Sequence, residues 1–368
     1  MSEPEANRRD AKGDAARLLL AAARERFSVA ASDLLLPEQS RLTEWQRLTA
    51  AALLASLVRS IEDPLRAALA PRFGGHEAAQ AALASVHVAI ALPVLERARA
   101  LGDSDLLTLL VRRVEEHRFW KAQTSDAGQR HDLLAELVRD PDQQLAGEAM
   151  ELLIARSRRF DRFHEPVLGR TELPADIQHR LTWLIAAALR HYLVQQHRLP
   201  SGAVDLAIEE SARGVLQGYD EGDGLEARAM RLARRLHRAA RLEGPVLARV
   251  LEEGNLPLFV AGAAVHCGLD HGAAWEILSD PRGRGPALLL RAAGIERGDA
   301  ARILLVLNSK GRLFSGAEGD ATAAQLDLFD ATARAAALEV LRLWQADPAY
   351  RGAVARLSTR ARPVPEAA

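Results

Sequence analysis

The densest gathering of chemically able side chains is VHCGLDHG, residues 265–272. His266, Cys267, Asp270 and His271 are all metal-ligating types, and a cysteine beside a histidine is also the pairing that activates a thiolate. Gly268 interrupts them, well placed to end the preceding helix in a left-handed conformation. The flanking side chains then diverge, and cysteine is among the most commonly buried residues. The segment therefore reads as a helix end, and a metal-dependent enzyme is the weakest functional reading. His76-Glu77 is followed by Gln80, so it lacks the second histidine of a zinc-binding helix. YDEGDGLE (219–226) sets Asp220 and Asp223 before Gly224 without the alternating ligands of a calcium loop, and reads as a solvated turn. GRGPALLLRAAG (283–294) has glycines before a helix, but neither the lysine nor the preceding strand of a phosphate-binding loop. The sequence thus points to no catalytic residue, no metal ligand and no cofactor.

Two basic stretches remain. Arg228, Arg231, Arg235 and Arg238 fall at three- and four-residue spacing, with Arg234, His237 and Arg241 beside them. Such a stripe can meet an acidic partner or a phosphate backbone. It is also the ordinary solvated face of an amphipathic helix in a chain with 45 arginines and only three lysines. SRRFDRFH (157–164) interleaves arginines with Phe160 and Phe163. Those rings could stack on bases, but phenylalanines three apart more often anchor a helix to a core.

The elements that must position these residues are helices. Apolar residues recur at three- and four-residue spacing from about residue 13 to residue 357, no stretch alternates like a half-buried strand, and isoleucine appears only nine times. The periodicity predicts helices near 13–27, 38–60, 63–70, 76–92, 104–118, 130–138, 142–158 and 174–197, then near 225–241, 244–253, 256–267, 270–278, 285–293, 298–308 and 322–346. Asp63, Asp103 and Asp140 stand where N-caps are wanted, about 40 residues apart, which suggests a HEAT-type repeat. Thr322 and Gln325 read as a capping box. Residues 1–12 and 358–368 read as disordered ends. Gly202 and the loop QGYDEGDG (217–224) suggest a boundary between an N-terminal helical half, 13–200, and a C-terminal half, 201–357.

ELPADIQHRLTWLIAAALRHYL (172–193) resembles the signature helix of a bacterial family known as domain of unknown function 2336. RDPDQQLAGEAMELL before it, EEGNLPLFVAGAAVHCGLDHG (252–272) and LRLWQADPAYRGAVARL are similar to further segments of that family, in the same order. Together these cover roughly residues 40–357. The resemblance implies a HEAT-like all-α protein; no established catalytic residue exists to be carried over. Its motif positions Pro174, Arg180, Trp183 and Arg190 read as framework: a helix start, a packed indole, and arginines able to satisfy neighbouring carbonyls.

The 48% hydrophobic content supplies a core, and a net charge of −1 removes bulk attraction to nucleic acid or anionic lipid. One cysteine excludes an internal disulfide. The opening MSEPEANRRDAK lacks the apolar stretch of a signal peptide, and no stretch has the roughly 20 consecutive apolar residues of a membrane span. The expectation is a soluble cytoplasmic all-α protein, a HEAT-like α-solenoid of short antiparallel helices. Its expected role is a non-enzymatic scaffold or adaptor binding another protein, without membrane insertion. The alternative is a nucleic-acid-binding protein similar to the HEAT-like DNA glycosylases, which the near-neutral charge and 4% aromatic content disfavour.

Overall fold

The computed structural model describes residues 42–125, 132–159, 168–280, 283–309, 321–347 and 349–354. Helices fill most of these, and no strand occurs among the described residues. The chain is all-α. In order, the helices are α1 (Glu44–Leu69), α2 (Glu77–Ala84), α3 (Ala91–Arg97), α4 (Ser104–Ser125), α5 (Leu133–Leu137), α6 (Gln143–Arg159), α7 (Ala175–His197) and α8 (Ser201–Gln217). They continue with α9 (Leu225–Arg238), α10 (Gly244–Glu252), α11 (Leu256–Cys267), α12 (His271–Leu278), α13 (Arg284–Ala293), α14 (Arg297–Asn308), α15 (Ala321–Ala331) and α16 (Arg334–Leu341). The helix foreseen at 13–27, both expected disordered ends, and Phe160 and Phe163 lie outside the described residues.

Two compact units interleave along the sequence. One takes residues 42–114 and 157–227; the other takes 115–156 and the described residues from 228 onward. The meeting of halves expected near residue 200 is not a boundary of these units. Gly202 instead lies in the first turn of α8, where a proline and a glycine are tolerated because first-turn amides have no intrahelical acceptor.

In the first unit, the stripe Leu53, Leu57, Ile61, Leu65 and Leu69 of α1 packs with Ile177, Leu181, Ile185, Leu189 and Leu193 of α7 and with Val204, Ile208 and Ala212 of α8. Thr43 and Gln46 close a capping box at the start of α1. The helix then continues through Pro64, so Asp63 is interior and caps nothing; its unbroken apolar stripe outweighs the lost amide. The expected helix 76–92 is two helices, because a buried ion pair captures the chain between them. Arg66 Nε donates to Leu83 O at 2.9 Å, Nη2 to Ala82 O at 2.7 Å and Nη1 to Val88 O at 2.6 Å, and Nη2 also meets Ser85 O. Its partner Glu62, 3.2 Å away, accepts from Ile90 N and Ala91 N at 3.1 and 3.2 Å. One pair thus ends α2 and begins α3.

In the second unit, α11 is enclosed: every residue from Leu256 to Ala264 is buried, as expected of a helix apolar on all faces. α6 is capped by Asp142, whose Oδ1 accepts from Gln144 N and Leu145 N, and not by Asp140. Of the three spaced aspartates only Asp103 caps as expected, accepting from Asp105 N and Leu106 N. The single helix foreseen at 322–346 breaks at Ala333, where ψ is 143°. There Arg291 Nε takes the carbonyl of Thr332 at 2.7 Å, out of reach of a helical amide. Thr322 and Gln325 form no capping box; both accept from Asn308 Nδ2.

Candidate interaction surface

The arginine stripe lies on α9, and its middle is held by acids of α6 within the second unit. Arg228 Nη1 is 2.9 Å and Arg231 Nη2 3.4 Å from Glu151 Oε2. Arg235 pairs with Glu148 at 2.8 Å and donates to Gln144 Oε1 at 2.9 Å. Beyond the helix, Arg241 pairs with Asp140 at 2.7 Å. Arg234, His237 and Arg238 are exposed. Next to this seam α6 turns apolar residues outward: Met150 is 41% and Ile154 45% exposed, although Leu145, Ala149 and Leu152 of the same helix are buried. The arrangement is a row of ion pairs with an apolar wall on one side and cations on the other. It suits contact with a macromolecular surface.

The side chains of 265–272 diverge, each to its own partner. Gly268, at φ 65°, ends α11, and Asp270 Oδ1 caps α12 by accepting from Ala273 N at 2.7 Å. His266 Nε2 lies 2.6 Å from Leu242 O and His271 Nε2 lies 3.1 Å from Pro257 O, so both Nε2 atoms carry the proton. Cys267 is buried, its Sγ 3.6 Å from Leu289 O. Burial pushes its thiol up to about 12 against a slight opposing pull from Arg334. Among the described residues, no three His, Cys, Asp or Glu side chains could hold a metal ion together. The glycines ahead of α13 cradle no phosphate, because Asp280 already occupies that helix start: its Oδ2 accepts from Arg284 N and Gly285 N at 2.8 and 3.0 Å. The 219–224 turn is tied back by the Tyr219 hydroxyl, which donates to Leu173 O, and Asp220 accepts from Gly222 N at 2.8 Å.

Two polar clusters of the first unit were invisible in the sequence. Beside the Glu62–Arg66 pair, Glu226 sits 2.5 Å from Arg113, 2.9 Å from Arg159 and 3.6 Å from Arg112, and Arg159 also reaches Glu172 at 2.8 Å. Burial pushes the Glu226 carboxyl up, but Arg113, Arg159 and Arg112 together outweigh it and hold the group well below the usual range. A depression of about 400 Å³ on the same unit gathers Arg72, Arg170, Glu210 and Ser211. Its carboxylate is already bound to Arg72.

The matched family model is described as "Uncharacterised protein conserved in bacteria (DUF2336)" and covers residues 126–342. The chain belongs to this family. No curated protein and no solved structure matches it. The match omits α1 to α4, so part of the first unit of this DUF2336 protein lies outside it. The segment of this DUF2336 chain read as a signature helix forms α7. Pro174 is its N-cap residue, with Gln178 N donating to Pro174 O at 2.9 Å. Trp183 is partly buried against the core, and its Nε1 donates to His179 Nε2 at 3.1 Å. The two arginines serve carboxylates rather than the expected carbonyls. Arg180 lies 2.9 Å from Asp176, 3.2 Å from Asp103 and 3.3 Å from Asp105; Arg190 grips Asp205 with two nitrogens. Both arginine side chains are more than 40% exposed, so water screens these pairs and each adds little to stability.

Proposed function

We propose that the chain is a non-enzymatic scaffold, built of HEAT-like helix pairs, that binds another protein and acts as a regulatory adaptor. One observation carries this reading. Met150 and Ile154 stand outward on α6 beside a charged seam, whereas the groups able to do chemistry at 265–272 are engaged in ending, capping or tying helices. Exposed apolar side chains rimmed by polar ones mark interaction sites. A phosphate backbone is a poorer fit, because Arg228, Arg231 and Arg235 already face carboxylates. A single cysteine in 368 residues suits the reducing cytoplasm, and no helix among the described residues is long and apolar enough to cross a membrane.

The test is affinity capture of the tagged full chain from its source cells, followed by mass spectrometry and nuclease treatment. The expected result is one protein recovered in near-stoichiometric amount, resistant to nuclease. Recovery of nucleic acid, or of no partner at all, overturns the reading.

A further inference from the structure

We infer that the α6–α9 face receives an amphipathic helix of a partner protein whose apolar stripe is flanked by acids. The inference rests on the scaffold reading and adds the chemistry of the partner. α6 and α9 run antiparallel, since Arg228 and Arg231 meet Glu151 while Arg235 meets Glu148 and Gln144. At about 100° per residue, Ile154 stands roughly 60° and Met150 roughly 100° around α6 from Glu151, away from Glu148. Gly147 shares that side, and a Cβ there would meet nothing within 4 Å. These residues make an apolar wall about two turns long. On α9, Arg234 lies roughly 60° from Arg231 and on the side away from Arg228 and Arg235. Arg238 follows one turn later. Both are exposed, and neither forms an ion pair among the described residues.

A helix laid along this seam places one apolar stripe on Met150 and Ile154, whose i, i+4 spacing matches side chains at i, i+3 and i+4 of the visitor. The flexible thioether of Met150 adapts to the visitor's shape. The flank over α9 meets Arg234 and Arg238, which attract carboxylates and repel a basic helix. An anionic membrane is disfavoured, because the Glu151 side chain, 52% exposed, stands beside the apolar wall.

Two labelled synthetic helices of about 18 residues, long enough to hold helical structure, test this by fluorescence anisotropy with the full chain. They share one leucine stripe and differ only in flanking Glu or Lys. The Glu-flanked helix is expected to bind at least ~10-fold tighter at low salt, with the advantage shrinking as salt screens the charges. Met150→Asp/Ile154→Asp should remove binding, and Arg234→Glu/Arg238→Glu should turn the preference toward the Lys-flanked helix. All four positions are exposed or rim positions, and thermal melts of the variants should match the wild type. Equal binding of both helices, binding indifferent to both double variants, or binding only to phosphatidylserine vesicles overturns the inference. A captured protein that Met150→Asp/Ile154→Asp still retains overturns this inference but leaves the scaffold reading standing. Failure of the wild type to capture any protein overturns both.

Discussion

Replacing Arg66 by Met isolates what one buried guanidinium does for the first unit. The side chain is 6% exposed and its partner Glu62 is 4% exposed, so neither group is rescued by bulk water. The substitution keeps the aliphatic stem and most of the volume, and removes only the charged fork. The carbonyls of Ala82, Leu83, Ser85 and Val88 then lose their donor, and the Glu62 carboxylate keeps only the amides of Ile90 and Ala91. An unpaired buried acceptor costs about 1–3 kcal/mol, and breaking a buried ion pair on one side costs about 3–5 kcal/mol. Water can reach the half-exposed carbonyls, so these terms overlap, and we expect a total loss of about 4 kcal/mol. For a unit of this size the melting temperature should fall by on the order of 10–20 °C. Urea titrations of wild type, Arg66→Met, Glu62→Gln and the double variant complete the cycle. The double variant should be at least ~1 kcal/mol better than the sum of the singles, because it no longer buries an uncompensated carboxylate. A loss below ~1 kcal/mol for Arg66→Met would mean that water replaces the guanidinium, and the account of how α2 ends and α3 begins would fail.

Trp183→Ala should cost about 1–3 kcal/mol, less than a fully enclosed indole, because the ring lies at the rim of the core; an unchanged melt would make Trp183 a binding residue. Cys267, its thiol pushed up to about 12 and the side chain buried, should resist thiol reagents in the native protein and react once the chain is unfolded; rapid labelling of the native protein would contradict the structure. The Glu226 carboxyl has a folded pKa well below its ordinary value of 4.5. Its contribution is therefore fully present above that value and lost as pH falls through the folded pKa. Wild type should accordingly lose stability below about pH 4.5 faster than Glu226→Gln, which should be weaker at neutral pH by about 3–5 kcal/mol. Parallel acid profiles of the two proteins would refute the arginine cage.

Periodicity located α7, whose apolar stripe faces one core, and continuous apolar content located α11; both lie within a residue or so of their expected spans. Periodicity failed where punctuation had a second use. Gly202 read as a break, yet it follows Pro200 into the opening of α8, because a first helical turn needs no amide donors. Asp63-Pro64 read as a helix start, yet it lies inside α1, held by the leucines on either side. The arginine stripe was legible as a face of α9 but its state was not: Glu151, which meets both Arg228 and Arg231, lies 77 and 80 residues upstream of them, and no local pattern links them. The one available hint of the apolar wall was that α6 carries large apolar residues on two faces, Met150 and Ile154 opposite Leu145 and Leu152. A helix with a single buried stripe has no use for the second.

The interleaving of the two units sets a timetable for synthesis. Residues 42–114 leave the ribosome well before 157–227, which supply α7 and α8, the other wall of their core. At roughly 5–20 residues per second, translating the intervening chain and those partners takes on the order of 10 s. Throughout that interval the leucines of α1 have no α7 to cover them, a period of exposure in which holding chaperones have something to bind. A fragment cut at the family-model limits, 126–342, meets the converse problem permanently. It carries α7 and α8 without α1, and should be far less soluble than the full chain.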